Sequence, residues 1–409
     1  MSPVCLDGDF LTRGKGIPYS GTRATPYEAE LFGTRYLFGV MANFQEERMR
    51  TMRNSGTTLA LLLALLPVPA LADAPTNPLV QRAAPDRLRI SWTDSSGVDV
   101  YMAEQPDATA ERSRLVSADD RDGKHELSVA PGQRVYFLLR DRNDRKSVRV
   151  AERLLPLEQA SNFRDIGGYP AAGEKHVRWG MIYRSGATPL LTEADQKFIH
   201  DLKLANLVDL RSSEERQLAP TKIEGVPYHA VGYSMNAILA AMRPAAGSPP
   251  ALQNGGALYR RMPEMLAPQM RVLFSRLLAK EGPVAYNCSA GQDRTGFATA
   301  LILSALGVPR DVIIADYHLS TEYRRPQFEM APFDPAAFPD NATAQLFARY
   351  RKDPGAGKPE PLKDADGTAF LSFALDEIDQ HYGSVAAYLA KEIDITAVDL
   401  ATLRATYLE

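Results

Sequence analysis

The sequence contains few cysteines, no excess of positive charge and no apolar run long enough to cross a membrane. Its 409 residues include two cysteines, Cys5 and Cys288, which excludes the disulfide framework of small secreted scaffolds. Lysine and arginine number 47 against 50 aspartate and glutamate residues, for a net charge of −3. The chain therefore lacks the basic excess that drives nucleic-acid binding, and no nucleic-acid partner is expected.

Histidine is also scarce, with six residues in the whole chain. None of them is spaced as metal ligands usually are, so the sequence predicts no metal and no other cofactor. Hydrophobic residues make up 45% of the chain and charged residues 24%, which is ordinary for globular proteins and excludes a wholly disordered or collagen-like chain. A chain of this length is expected to form more than one domain.

The longest apolar run lies in an unexpected place. Leu59–Leu66 consists only of leucine and alanine, follows a segment with three arginines and precedes the small-residue pattern Ala70-Leu71-Ala72. This layout is typical of a secretory signal peptide, and the run is far shorter than the about 20 apolar residues that span a bilayer. We therefore expect a signal peptide at residues 52–72, cleaved near Ala72, and a periplasmic or secreted product with no stable membrane insertion. Residues 1–51 are interpreted as an upstream extension or a mis-called start, and the alternative for the run is a short buried helix.

Residues 79–153 show short alternating stretches separated by turn residues. Leu88–Trp92 alternates apolar and polar side chains, Asp94-Ser95-Ser96-Gly97 predicts a turn, and Val98–Met102 resumes the alternation. Strands at this spacing without a helical period predict a small all-β sandwich. In its length and in its Trp92 strand, the segment resembles a compact fibronectin type III domain. It carries no catalytic constellation, so we interpret it as a binding or spacing module whose partner is unknown.

From residue 157 to residue 409 the pattern changes to alternating strands and amphipathic helices. This rhythm predicts an α/β domain with a mostly parallel sheet flanked by helices. Two proline-rich stretches, residues 242–256 and 320–367, interrupt it and are interpreted as insertions near a site that could close over it. The elements predicted most clearly are strands over Leu204–Leu210 and Pro283–Tyr286 and a helix over Phe297–Leu306.

One loop holds the residues that indicate chemistry. Between the strand that ends at Tyr286 and the next helix, residues 287–296 read Asn-Cys-Ser-Ala-Gly-Gln-Asp-Arg-Thr-Gly. Such a junction aims backbone N–H groups and the positive end of a helix dipole at one point, which suits a phosphate group and stabilises a thiolate at Cys288. Arg294 can grip two phosphoryl oxygens at once, a geometry that lysine cannot copy. The predicted phosphate-binding residues are Ser289, Ala290, Gly291, Gln292, Asp293, Arg294 and Thr295.

This loop resembles the phosphate-binding signature of cysteine-based protein tyrosine phosphatases. Four further segments, in the expected order, resemble the bacterial branch of that family that includes secreted tyrosine and lipid phosphatases. The alternative for Cys288, an inert buried thiol, does not account for the glycines, the threonine, the strand and the helix that accompany it. The four segments are Ser161–Tyr169, Arg178–Gly186, Val208–Ser212 and Tyr382–Val385.

The resemblance implies a two-step mechanism without a metal. Cys288 would attack phosphorus to give a phosphocysteine, while Arg294 and the loop amides hold the phosphoryl oxygens. An aspartic acid would protonate the leaving group and then activate water for hydrolysis of the intermediate. Asp293 is the first candidate for this acid, with a loop-stabilising salt bridge as its alternative. Asp209 is the second candidate, although a structural pair of Asp209 with Arg211 is favoured.

Other residues bear on the pocket and on the substrate. Arg164, Asp165 and Arg211 are candidate pocket residues, and the alternative for the first two is a turn.

The family commonly has histidine before the cysteine, where this chain has Asn287. Members that accept phosphoinositides often have lysine where this chain has Gln292, and the loss of that cation favours phosphotyrosine in a protein or peptide. We therefore expect an exported phosphatase for phosphotyrosine, and also for phosphoserine or phosphothreonine; the alternatives are a phosphoinositide or inositol phosphate phosphatase and a non-catalytic phosphate-binding module.

Overall fold

The computed structural model describes residues 74–236, 255–352 and 360–409, all of which belong to one compact unit. The predictions for residues 1–51, for the signal peptide at 52–72 and for most of the stretch 242–256 lie outside the described residues. Within the described ranges, every helix is too short or too polar to cross a membrane.

The first part of the described chain, residues 76–151, is built from antiparallel strands, and we call it the all-β region. Its strands are β1 (Thr76–Ala84), β2 (Arg87–Thr93), β3 (Val98–Ala103), β4 (Arg114–Asp120), β5 (Lys124–Ser128), β6 (Tyr136–Asp141) and β7 (Ser147–Ala151). They form a three-stranded sheet in the order β1-β2-β5 and a four-stranded sheet in the order β4-β3-β6-β7. Apolar side chains of both sheets, including Ile90 and Phe137, share one buried cluster.

The rest of the described chain, which we call the α/β region, is centred on a five-stranded sheet. Its strands are β8 (Arg164–Asp165), β11 (Ile182–Ser185), β12 (Asn206–Asp209), β13 (Tyr228–Ala230) and β14 (Val284–Asn287), and a short hairpin adds β9 (Pro170–Ala171) and β10 (Lys175–His176). The sheet order is β13-β12-β14-β11-β8. All neighbouring pairs are parallel except β11 with β8, which are antiparallel. The prediction of a mostly parallel sheet is confirmed.

Helices cover both faces of this sheet. They are α1 (Glu193–Asp201), α2 (Ser213–Leu218), α3 (Gly255–Met265), α4 (Ala267–Ala279), α5 (Asp293–Leu306), α6 (Arg310–Tyr323), α7 (Ala342–Lys352), α8 (Phe370–Tyr382), α9 (Val385–Glu392) and α10 (Ala397–Tyr407). On strand β14, Val284 and Tyr286 join the large apolar cluster that contains α4 and α5, whereas Ala285 joins the cluster that contains α1. This alternation follows from the two-residue period of a strand that is buried on both faces.

The elements around the predicted loop lie close to their predicted positions. The predicted strand Pro283–Tyr286 is β14 (Val284–Asn287), and the predicted strand Leu204–Leu210 contains β12. The predicted helix begins at Asp293 instead of Phe297. It is apolar on all sides and buried, and it ends at Gly307 with φ 82°, the left-handed conformation in which glycine commonly terminates helices.

The all-β region and the α/β region share a buried interface. Trp179, from the α/β region, is 4% exposed and belongs to the apolar cluster of the all-β region. Its indole Nε1 donates to the carbonyl oxygen of Arg149 at 3.2 Å. Nearby, Arg134 Nη2 donates to Asp165 Oδ2 at 2.7 Å, and both side chains are buried. The two regions are therefore expected to unfold together.

Replacement of Trp179 with alanine tests this coupling. We expect the free energy of unfolding of the chain to fall by about 3–5 kcal/mol, because the substitution opens a cavity in the core of the all-β region. Urea denaturation followed by far-ultraviolet circular dichroism measures the change. Leu115→Ala, at a side chain that is 48% exposed on the same region, is the control and should cost far less. Equal losses for the two variants would contradict a shared core.

Candidate active site

The predicted loop lies where β14 ends and α5 begins, at the carboxyl edge of the parallel strands. Ligands of open α/β sheets bind at this edge. The carbonyl oxygens of the loop are held by their surroundings: the Ala187 N–H donates to Ser289 O at 2.9 Å. Asn162 Nδ2 donates to Ala290 O at 3.3 Å and to Gly291 O at 2.8 Å.

Gly291 is the point where the loop passes closest to the rest of the sheet. Its φ is +68°, and a Cβ atom there would lie 2.6 Å from the nitrogen of Gly186 and 2.7 Å from the carbonyl oxygen of Ser185. Arg184 Nη2 donates to the Gly291 carbonyl oxygen at 2.8 Å. A side chain at this position would displace the loop, so the close contact with residues 185 and 186 requires glycine.

With the carbonyls turned outward, the loop amides are left for a ligand. The N–H groups of residues 289–292 donate to no described residue. Successive free amides at a helix N-terminus form a concave anion-binding site. Cys288, at the start of this curve, is 1% exposed. The Thr295 hydroxyl is buried without a hydrogen-bond partner in the described chain.

Arg294 is oriented by a residue that the sequence did not single out. Its Nη1 and Nη2 atoms each lie 2.6 Å from a carboxylate oxygen of Glu215, and Nη1 also donates to the Tyr233 hydroxyl at 2.7 Å. The Ser289 hydroxyl donates to the same carboxylate at 2.6 Å. Glu215 thus binds one edge of the guanidinium group. The Nε atom has no acceptor among the described residues, so the second edge is available to a phosphoryl group.

Glu215 is held as a carboxylate. Burial alone would raise its pKa, but the charge of Arg294 and the hydrogen bonds from Arg294 and Ser289 prevail and lower the pKa to about 2. Sequence offers one signal for this residue: Ser212 and Glu215 form a capping box at the start of α2, a pattern that indicates a helix N-terminus and carries no information about catalysis.

Glu215→Gln should therefore change how stability depends on pH. In the wild type, the contribution of this carboxylate to the free energy of unfolding is complete above its ordinary pKa of 4.5 and is lost as the pH falls towards about 2. The variant lacks this contribution, roughly 3 kcal/mol. The difference in unfolding free energy between the two proteins should be constant above pH 5 and shrink below it, as urea titrations across this range would measure. A constant difference down to pH 2 would contradict the pairing.

The two acid candidates lie in different environments. Asp293 is the first residue of α5 and half-buried, and its Oδ1 accepts a hydrogen bond from the Tyr259 hydroxyl at 2.5 Å. The Asp209 carboxylate is fully buried and is bound on both oxygens by Arg211. Its Oδ2 also accepts from the Tyr228 hydroxyl at 2.8 Å. Asp209 therefore has no oxygen free to reach a leaving group, and the geometry favours Asp293.

The expectation that Arg164, Asp165 and Arg211 line the pocket needs correction. All three are 0% exposed, and their polar groups are bonded inside the protein, so none presents a free charge to a ligand. Their charges are compensated inside the protein: Asp165 by Arg134 and Arg164 by Asp316. Arg211 is compensated by the Asp209 carboxylate, which is the structural pair that the sequence favoured. Buried charged groups occur in proteins when they are paired in this way.

Asp316 lies behind the loop and forms ion pairs with two buried arginines, Arg164 and Arg184. Its Oδ1 accepts from Arg164 Nε at 3.2 Å and from the Tyr169 hydroxyl at 2.8 Å, and its Oδ2 accepts from Arg184 Nη1 at 2.7 Å. Arg164 also bonds the side-chain oxygen of Asn162. Burial opposes ionisation of Asp316, but the two guanidinium groups hold its pKa well below the ordinary value. Both groups that grip the Gly291 carbonyl, from Arg184 and Asn162, are thus oriented through Asp316.

The Arg324 guanidinium group lies beside Gln292, the residue that takes the place of the lysine often found in phosphoinositide phosphatases of the family. Gln292 is 4% exposed, and its Oε1 accepts from Arg324 Nη1 at 2.8 Å. Arg324 also pairs with Glu329, through Nε at 2.8 Å and Nη2 at 2.9 Å. The first part of the stretch 320–367 thus contacts the loop, as expected for an insertion near the site. In the described part of the chain, no group of three or more histidine, cysteine or acidic side chains could hold a metal ion.

Comparisons with known proteins agree with this geometry. Residues 155–409 match the sequence profile described as the tyrosine phosphatase family. A Cupriavidus necator protein, provisionally named a tyrosine-protein phosphatase, is 32% identical over 265 residues, which cover 62% of this chain and 88% of that relative. The triple specificity protein phosphatase PtpB of Mycobacterium tuberculosis is 29% identical over 275 residues, covering 59% and 93%. A tyrosine-protein phosphatase of Nostoc commune is 26% identical over 246 residues, covering 58% and 76%.

Proposed function

Because this chain belongs to the tyrosine phosphatase family, we propose that it hydrolyses phosphotyrosine, and also phosphoserine or phosphothreonine, through a phosphocysteine intermediate. The observation that carries the proposal is the loop itself. Cys288 begins a curve of free backbone amides, and Arg294 faces the same site with one edge fixed by Glu215. A relative named as a triple specificity phosphatase supports a preference that is not confined to tyrosine.

In the first step, Sγ of Cys288 forms a bond to phosphorus while the bond from phosphorus to the leaving oxygen breaks. The loop amides and the free edge of Arg294 bind the equatorial oxygens, where charge is spread in the transition state. The electron pair of the broken bond stays on the leaving oxygen, which takes the proton of the Asp293 carboxylic acid. The alcohol or phenol departs, and a phosphocysteine remains.

In the second step, water attacks the phosphocysteine. The Asp293 carboxylate accepts a proton from this water as its oxygen bonds to phosphorus, and the sulfur leaves as a thiolate. Inorganic phosphate is released, and both Cys288 and Asp293 return to their starting protonation states. Asn287, in place of the histidine common in the family, carries no titratable group, and its Nδ2 donates to the Cys288 carbonyl oxygen at 3.3 Å.

A phosphoinositide or inositol phosphate substrate is the second candidate. The loss of the loop lysine at Gln292 weakens it, but Arg324 supplies a guanidinium group 2.8 Å from the Gln292 side chain. This group could contact a further phosphate, although Glu329 neutralises part of its charge. The third alternative, a non-catalytic phosphate-binding module, would not require the cysteine, the arginine and the aspartic acid together.

A substrate panel tests the proposal. Residues 73–409 would be assayed with a phosphotyrosine peptide, a phosphoserine peptide and a phosphoinositide, each in the presence of EDTA. We expect turnover that EDTA does not affect, fastest on phosphotyrosine. A preference for the phosphoinositide that Arg324→Gln removes would favour the second candidate, and no turnover on any of the three would favour the binding module.

We also propose that the chain is exported and that the all-β region is an accessory binding or spacing module. The apolar run at residues 59–66 and the Ala70-Leu71-Ala72 pattern support export, and the strand orders β1-β2-β5 and β4-β3-β6-β7 are compatible with a fibronectin type III-like sandwich. N-terminal sequencing of the protein recovered from the periplasm or the culture medium tests the first proposal, and a first residue at or near Asp73 is expected.

A further inference from the structure

Two buried tyrosines form a chain of hydrogen bonds that ends at Asp293, the proposed general acid. Tyr259, on α3, is 2% exposed, and Tyr317, on α6, is 1% exposed. Their hydroxyl oxygens lie 2.7 Å apart, and the Tyr259 hydroxyl lies 2.5 Å from Asp293 Oδ1. A phenol has one proton to donate. Asp293 Oδ1 accepts a hydrogen bond both in the carboxylate and in the acid protonated on Oδ2, so Tyr259 donates to Asp293 and Tyr317 donates to Tyr259.

Packing fixes both rings in place. The Tyr259 ring stacks on Phe370 of α8, with centroids 5.9 Å apart and an interplanar angle of 28°, and meets Tyr317 edge to face at 6.2 Å. Gly296, the last residue of the predicted loop motif, makes room for Tyr317: a Cβ atom on Gly296 would lie 2.9 Å from Tyr317 Cδ2. The glycine therefore leaves room for the Tyr317 ring beside Tyr259.

We propose that Tyr259 is a positioning residue that fixes the carboxyl group of Asp293 for proton transfer to the leaving group. This inference rests on the proposed function. The terminal torsion of an aspartate is broad, and a hydrogen bond at Oδ1 restricts it so that Oδ2 carries the proton. As the phosphorus–oxygen bond breaks and the sulfur–phosphorus bond forms, that proton moves to the leaving oxygen, and the new carboxylate retains the bond from Tyr259.

The test compares leaving groups on the whole chain. Phenyl phosphate expels a basic phenolate that needs protonation, whereas 2,4-dinitrophenyl phosphate expels a stable anion that does not. For Tyr259→Phe we expect kcat/KM on phenyl phosphate, which reports the steps up to formation of the phosphocysteine, to fall by about 10- to 100-fold, and kcat/KM on the dinitrophenyl ester to stay within about 2-fold of wild type. Tyr317→Phe, which removes the donor to Tyr259, should show the same selective loss at a smaller size.

Tyr388→Phe is the matched control. Tyr388 is also buried, and its hydroxyl donates to the carbonyl oxygen of Pro263 on α3 at 2.7 Å, away from Asp293. This variant loses a buried hydroxyl bonded to the same helix, so a general effect on folding would appear here as well. We expect its two kcat/KM values to change by the same factor.

A double-mutant cycle with Asp293→Asn completes the test. If Tyr259 acts through Asp293, kcat/KM of the double variant on phenyl phosphate should be no lower than that of Asp293→Asn alone. Equal losses on both esters for Tyr259→Phe, no loss on either, or full additivity in the cycle would overturn the proposal. So would an Asp293→Asn variant without leaving-group dependence. These outcomes differ from failure of the proposed function, in which the wild type would hydrolyse neither ester.

Discussion

Replacement of Cys288 with serine is expected to lower kcat on a phosphotyrosine peptide by at least about 10⁴-fold. A serine hydroxyl is not ionised near neutral pH, and the step that forms the bond to phosphorus therefore loses its nucleophile. The amides of the loop and the side chains of Arg294 and Glu215 are unchanged by the substitution. Binding of the peptide should be retained, as calorimetric titration would measure.

Ser275→Ala, at an exposed side chain of α4, is the control for this experiment. It should leave kcat unchanged, so that loss of turnover in Cys288→Ser is assigned to loss of the nucleophile. Unchanged turnover in Cys288→Ser would refute the assignment of Cys288. Retained binding with no turnover in both the wild type and the variant would favour the binding-module alternative.

Replacement of Asp316 with asparagine is expected to lower the free energy of unfolding by about 3–5 kcal/mol, because it leaves Arg164 and Arg184 buried without a counter-charge. Activity should fall as well, by about 10-fold or more in kcat, since Arg184 no longer holds the Gly291 carbonyl in place and the loop amides lose their common direction. Urea denaturation and steady-state kinetics well below the melting temperature of the variant measure the two effects.

An exposed ion pair gives the control for Asp316. Asp376 lies 2.5 Å from Arg310, and both side chains are nearly half exposed. Exposed pairs of this kind contribute about 0–1 kcal/mol, so Asp376→Asn should change neither stability nor activity much. If Asp316→Asn cost no more than Asp376→Asn, the buried network would not support the loop.

Prediction from sequence succeeded where the signal is local. The strand β14, the turn at Gly291 and the buried helix α5 follow one another without interruption, and each leaves its own pattern of apolar runs and glycines. The order of these three elements is enough to predict an anion site at Cys288. By contrast, β4 gives no alternation because none of its residues is buried, and its sequence does not distinguish it from a loop.

Prediction of single charged residues was less successful. Arg164 and Asp165 look like pocket residues because charged side chains near glycine-rich turns are usually exposed. Their burial depends on partners elsewhere in the fold, and Arg164 meets Asp316 across 152 positions of sequence. The sequence shows the sign of each charged side chain, but it does not show whether the folded protein surrounds that charge with water or with apolar groups.

The sequence by itself determined the family, the position of the loop between β14 and α5 and the alternation of strands and helices, because each rests on residues that are neighbours in the chain. Tertiary structure decided which residues complete the site. Glu215 contacts Arg294, 79 positions further along the chain, and Tyr259 contacts Asp293, 34 positions further along. Trp179 packs into the core of the all-β region, although that region ends at residue 151. Contacts of this kind leave no period or spacing in the sequence, since they arise only when separate elements pack against one another.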